Sequence, residues 1–121
     1  MTETFDPATL GALRDAREVA IRTSAKPDRG IIIWVVAVGD GVFARSVRGA
    51  NAKWYAAAAA DGRATLELDD GRWPVSVTPV TDPAVIAEVS QAFLGKYATS
   101  PYAKEIVRTE ILPTTVRLDP L

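Results

Sequence analysis

Residues 31–47 read IIIWVVAVGDGVFARSV, and their reading decides the fold. Ile31 to Val38 is an unbroken apolar run dominated by β-branched side chains, the composition of a strand buried on both faces. Gly39-Asp40-Gly41 is a turn short enough to send the chain straight back, and Val42 to Val47 is the returning strand. Strands joined this tightly run antiparallel.

Working outward, the same pattern recurs. Val19 to Thr23 alternates with period two and reads as a strand, joined to Ile31 by the turn Lys26-Pro27-Asp28-Arg29-Gly30. Arg63 to Leu68 places Ala64, Leu66 and Leu68 on one face. Asp69-Asp70-Gly71 then turns the chain into a strand from Arg72 to Val80, whose Pro74 and Pro79 suit an edge or a strand end. Thr114 to Leu118 is a final strand after Pro113.

Between these lie helices. Asp6-Pro7 is a helix start with Leu10 and Leu13 on the inner face. Asn51 is placed to cap a helix through Trp54 and Ala56 to Ala60, closed by Gly62 in a left-handed conformation. Asp82-Pro83 starts a helix with Val85, Val89, Phe93 and Tyr97 on one face. Ser100-Pro101 starts a short one through Val107. Six strands with few helices must curl to bury both hairpins, which predicts a mainly β (α+β) chain: a small antiparallel barrel with flanking helices. The 121 residues are expected to form one domain, 1–121.

Composition narrows the function. The chain has no Cys and no His, which removes disulfides, thiolate chemistry, the commonest general base and the commonest metal ligand. No metal site is expected. A net charge of −1 argues against a nucleic-acid binder. Met1 to Pro7 lacks the pattern of a signal peptide, and no apolar run approaches the roughly 20 residues that span a bilayer. A soluble, cytoplasmic protein without membrane partners is expected.

One stretch departs from the acidic balance. No carboxylate occurs between Asp40 and Asp61, while Arg45, Arg48 and Lys53 do. Arg45 to Gly49 sits where a strand ends just before a helix begins, a junction suited to an anion: free N–H groups and the positive end of a dipole. Gly49 allows close backbone approach, Ser46 can donate a hydrogen bond, and Arg45 or Arg48 can grip a phosphate with two N–H groups. Lys53 opposes the dipole unless an anion compensates it. The competing account is a solvated hairpin end kept soluble by its arginines.

The stretch IIIWVVAVGDGVFARSVRGANAKWY, with the closing TTVRLDP, resembles a family of small bacterial proteins known as a domain of unknown function. That family falls among the FMN-binding split barrels, like the pyridoxamine-phosphate oxidases. The resemblance implies a six-stranded antiparallel split β-barrel with flanking helices, in a homodimer. The same stretch is similar to the deazaflavin-dependent nitroreductases. Ser46, Gly49 and Trp54 match their motif, while Ala52 stands where they have Pro, and their Gly-Gly pair is missing.

The resemblance implies that Ser46, Gly49 and Trp54 contact the phosphate end of FMN or a deazaflavin. It places Arg22 and Thr23 with Ile32, Ile33 and Trp34 along the ring. Charge and position add Arg45, Arg48 and Lys53. Trp34 also reads as a plain core aromatic. Tyr55, Tyr97 and Tyr102 are candidate proton donors, and Trp73 a surface or dimer contact. The implied activity is an oxidoreductase acting on a small quinone- or nitro-like compound. The alternative is a non-catalytic module of the same fold holding a phosphorylated ligand or cofactor.

Overall fold

The computed structural model describes residues 3–121. The reading of the N-terminal stretch extends to Met1 and Thr2, which lie outside the described residues. The elements run α1 (Pro7–Asp15), β1 (Val19–Arg22), β2 (Ile31–Ile33), β3 (Val35–Val38), β4 (Gly41–Ala44), α2 (Lys53–Asp61), β5 (Arg63–Leu68), β6 (Gly71–Pro79), α3 (Pro83–Lys96) and β7 (Val116–Pro120). Two 3-10 helices, Ala103–Val107 and Thr109–Thr114, lie between α3 and β7.

All seven strands form one antiparallel sheet in the order β2-β1-β5-β6-β7-β4-β3. The two strands at the ends of that order are consecutive in the chain, separated by Trp34 alone. The sheet therefore curls until its ends nearly meet, and the result is a nearly closed barrel. The expected single strand Ile31–Val38 is two: β2 pairs with β1 and β3 pairs with β4. That is why seven strands stand where the sequence predicts six. One apolar run cannot show where its hydrogen-bonding partner changes.

Strand periodicity fills the interior. Val19 and Ile21, Val42 and Ala44, Ala64 and Leu66, Val75 and Val77, and Val116 and Leu118 each point inward two residues apart. Ile33 and Val35 keep this alternation across the break, so Trp34 faces outward between them. Leu13 of α1, Phe5 and Ala58 of α2 plug the interior. Of the predicted two-face-buried strand, only the start of β3 is so buried: Val35 and Val36 are both buried, Ala37 and Val38 are half-buried, and Ile32 of β2 is 58% exposed.

A second apolar layer covers the outside of β3 and β4. Val36 and Phe43 pack there against Val89, Phe93 and Tyr97 of α3 and against Ala103 and Ile106. The face predicted for α3 is the face it buries, and Asp82 caps it by accepting from the Ala84 N–H at 2.9 Å. Asp6 caps α1 in the same way through Thr9. Gly62 closes α2 at φ 68°, as predicted.

Other expectations are corrected. Asn51 does not cap α2; the N-cap position is Ala52, which has no side chain to offer. Strand β6 lies inside the sheet between β5 and β7, with Pro79 at its very end. Trp73 packs against the barrel core and lies over Gly71, where an added Cβ would collide with its ring.

Candidate functional site

A cleft of about 860 Å³ lies outside the barrel. Its floor comes from Ile31 to Trp34, with Thr23 beside them at the end of β1. Arg45, Val47 and Arg48 follow β4, and Asn51 to Trp54 bring the start of α2. Tyr102 and Ile106 complete the lining. The volume is within the range of about 300–1,000 Å³ usual for small-molecule sites.

The floor is anchored from below. Trp34 stacks parallel on Tyr97, with ring centroids 3.9 Å apart and planes inclined by 3°. Tyr97 is fully buried, and its hydroxyl donates toward the backbone oxygens of Arg17 at 2.8 Å and Val35 at 3.3 Å. Burial raises its pKa to about 12. This tyrosine is a support for Trp34 and has no proton free for a substrate. Tyr55 packs partly buried against the barrel core, edge-on to Trp54. Of the three tyrosines predicted as proton donors, Tyr102 is the one that lines the cleft, and it is 68% exposed.

The basic stretch divides into parts with different duties. Arg48 and Lys53 are exposed on the cleft rim. Ser46 and Gly49 shape the turn behind it. The Ser46 hydroxyl donates to the Gly49 carbonyl at 2.7 Å, and the Gly49 N–H donates to the Ser46 carbonyl at 2.9 Å. Gly49 has φ 87°, a conformation that glycine adopts without steric penalty. The Ser46 N–H donates to the Thr114 hydroxyl at 3.0 Å. The hydroxyl hydrogen expected to reach an anion is thus engaged within the turn.

Arg45 is only 2% exposed. Its Nε donates to the Thr115 hydroxyl at 2.8 Å, Nη1 to the Ser90 hydroxyl at 2.8 Å and the Ile106 carbonyl at 3.2 Å, and Nη2 to the Ile86 carbonyl at 2.9 Å. It also lies over the Phe93 ring, 5.5 Å from the centroid. Burial lowers its pKa to about 10, which leaves it charged at neutral pH. A two-pronged grip on a phosphate is not open to it, because four of the five N–H groups of a guanidinium are already used.

The start of α2 is open. No side chain caps it, and its first turn holds no acidic residue. Its first N–H groups therefore look for an acceptor beside Lys53 and Arg48. Lys26, Arg45, Arg48 and Lys53 line the cleft against a single carboxylate, Glu18.

The sequence reading missed several contributors. Val47 and Ile106 line the cleft, and Arg108 donates from Nη2 to the Val47 carbonyl at 3.0 Å, joining segments 61 residues apart. No local pattern encodes that pairing. Lys26 lay in a turn and Glu18 on a helix flank, where charge is ordinary.

Among the described residues, no helix is long and apolar enough to cross a membrane, and no three acidic side chains gather as a metal site.

Three solved structures are similar to this chain. The conserved hypothetical protein Rv2991 of Mycobacterium tuberculosis superposes with a TM-score of 0.67 at 12% identity, over 97% of this chain and 79% of that one. The heme storage protein HutZ of Vibrio cholerae gives 0.62 at 10% identity, over 95% and 89%. An FAD-binding protein of Mycobacterium smegmatis gives 0.56 at 22% identity, over 98% and 91%. At these identities the likeness is one of fold. No curated protein matches the chain by sequence. A family model does match, over residues 9–118, and the chain belongs to that family, DUF2255, described as uncharacterized protein conserved in bacteria.

Proposed function

We propose that the cleft holds a flavin-type cofactor, FMN or a deazaflavin, and that the protein is an oxidoreductase for a small quinone- or nitro-like compound. The observation that carries this reading is one cleft joining an apolar, aromatic floor to an uncapped helix start flanked by Arg48 and Lys53. A planar ring and an anionic tail need those two surfaces side by side. The similar fold of an FAD-binding protein agrees with it.

The residues fit such a group. Ile32 and Trp34, on the outward face of this run, offer an apolar surface, with Trp34 held by its stack on Tyr97. Thr23 is buried at the cleft wall; its hydroxyl oxygen accepts from the Ala25 N–H at 3.3 Å, so its own hydrogen can be donated to a ring carbonyl. Arg48, Lys53 and the first N–H groups of α2, including that of Trp54, take the phosphate. Ile106 and Val47 add to the apolar lining. When bound, the cofactor supplies hydride transfer, so the absence of His and Cys is no obstacle. Heme, stored by one structural neighbour, fits less well: the described residues hold no His, Cys or Met, and Tyr102 is the one cleft side chain of a usual axial-ligand type.

Ile32, Val47 and Tyr102, three large apolar side chains left exposed, all border the cleft. A second copy of the chain packed there would cover them, which supports a homodimer.

A second reading has its own observation. Tyr97 is sealed and the Ser46 hydroxyl is engaged within its turn, so neither offers a proton to a ligand in the cleft. A module that binds a phosphorylated ligand without turnover needs neither.

Parallel titrations with FMN, riboflavin and a deazaflavin, followed by fluorescence, test the proposal. Saturable binding is expected for FMN or the deazaflavin. An Arg48→Ala, Lys53→Ala double variant should lose at least about tenfold in FMN affinity while binding riboflavin nearly as before. No binding of any of the three would overturn the cofactor reading. Binding without reduction of quinone or nitro compounds would favour the non-catalytic module.

A further inference from the structure

Arg45 is an unusual strut. It ties β4 to α3, to the 3-10 segment and to the strand entering β7, and every partner it has is a neutral oxygen. No carboxylate lies within ion-pairing distance of it among the described residues. The other deeply placed charge, Asp119, is treated differently: Arg117 meets it at 3.0 Å. Burying a cation without a counter-ion is expensive, although no neutral side chain offers the four N–H donors that these four oxygens take. Those bonds account for its donors, but no neighbouring carboxylate neutralises its charge.

Its position puts that charge beside the cleft. In the β3–β4 ladder Val35 opposes Ala44, so the next pair outward is Trp34 beside Arg45. Both line the cleft. An arginine that is buried, unneutralised and next to the floor acts through a medium where water screens it poorly. One N–H remains after its four protein bonds.

We propose that Arg45 is the charge-selecting residue of the cleft, favouring an anionic ligand over its neutral counterpart through its uncompensated charge rather than through a two-pronged grip. This rests on the reading of the cleft as a ligand site and extends it: Arg48 and Lys53 hold an anion at the rim, while Arg45 sets the sign of charge that the interior accepts.

The test neutralises Arg45 without removing it. Ser90 already accepts from Nη1, so Ser90→Asp places a carboxylate beside the guanidinium and keeps the strut; Ser90→Asn is the neutral control. Two readouts are taken on the full chain: the ratio of FMN to riboflavin affinity, and the rise in Tm produced by inorganic pyrophosphate. Ser90→Asp is expected to fold at least as stably as the parent and to lose about tenfold in the FMN-to-riboflavin ratio, with a smaller pyrophosphate shift. Ser90→Asn should leave both near parental values.

A parental ratio and a parental pyrophosphate shift in Ser90→Asp would overturn the proposal and leave Arg45 a strut only. Should Ser90→Asp fail to fold, Arg45→Lys and Arg45→Gln replace it. Anion preference kept by Lys and lost by Gln supports charge selection, and equal loss in both overturns it. If no flavin binds the parent but pyrophosphate stabilises it, and Ser90→Asp abolishes that effect, the flavin reading falls and this one stands. If neither flavin nor pyrophosphate acts on the parent, both fall.

Discussion

The inside of the barrel and the layer against its β3–β4 face are built on different principles. The barrel interior is filled mainly by aliphatic and aromatic side chains, two inward residues from most strands, with Thr23 buried at the end of β1. The outer layer buries Arg45, Ser46, Thr114, Thr115 and the Tyr97 hydroxyl, each joined to a defined partner. Apolar packing is non-directional and requires only matched volume. A buried polar network is directional and fixes one arrangement, because an unpaired member is costly. The cleft stands against the directional layer. Its floor, Trp34, is held in place by Tyr97, and Arg45 sets its back wall. Stability resides mainly in one region and the geometry of the site in the other.

The largest effect that would probe this contrast is a cavity in the barrel. Leu66→Ala removes a fully buried side chain, and a loss of about 2–5 kcal/mol is expected. Urea denaturation should show the lower midpoint, while the Trp34–Tyr97 stack, followed by near-ultraviolet circular dichroism, stays as it was below the transition. Loss of that signal before unfolding would show that the two regions are not separate.

The next effect belongs to the outer layer and reads out with pH. Lys96 donates from Nζ to the carbonyls of Val35 at 2.7 Å and Leu13 at 3.2 Å, bolting α3 to β3 and to α1. Burial lowers its pKa to about 8; Asp15 nearby opposes the shift and Arg17 adds to it. The folded state thus gives up this proton at lower pH than the unfolded chain does. Between about pH 8 and 10 the unfolded state binds more protons, so the Lys96 contribution makes stability rise with pH, by at most about 1.4 kcal/mol per pH unit. Below pH 8 both states hold the proton and the slope vanishes. Lys96→Met should remove the rise, and a parental slope in that variant would assign it elsewhere.

The smallest effects concern the rim. Asn51 is exposed and caps nothing, so Asn51→Ala should change stability by less than about 0.5 kcal/mol in thermal unfolding. Ala52→Asp supplies the missing cap and should add about 1 kcal/mol, while weakening FMN binding by occupying the N–H groups proposed for its phosphate. A stabilised variant with undiminished FMN affinity would move the phosphate away from the start of α2.

How much of this was legible in the sequence follows from the range of each interaction. Helix starts at Asp6-Pro7 and Asp82-Pro83, the left-handed stop at Gly62, the tight hairpins and the inward alternation of Val19–Thr23 and Arg63–Leu68 are set within a few residues, so local chemistry specifies them. The apolar face of α3 and the collection of basic residues at one junction were equally readable.

Tertiary structure decided the rest. Trp34 is the place where one apolar run leaves β1 and joins β4, which depends on closing the sheet and leaves no mark on the run itself. Arg45 and Arg48 look alike in sequence, three residues apart in the same basic stretch. Partners between 41 and 70 residues away take Arg45 into the interior, while Arg48 remains on the rim. Residue type and spacing determined which groups this protein can offer. Contacts between distant segments determined which of them became struts and which stayed free to meet a ligand.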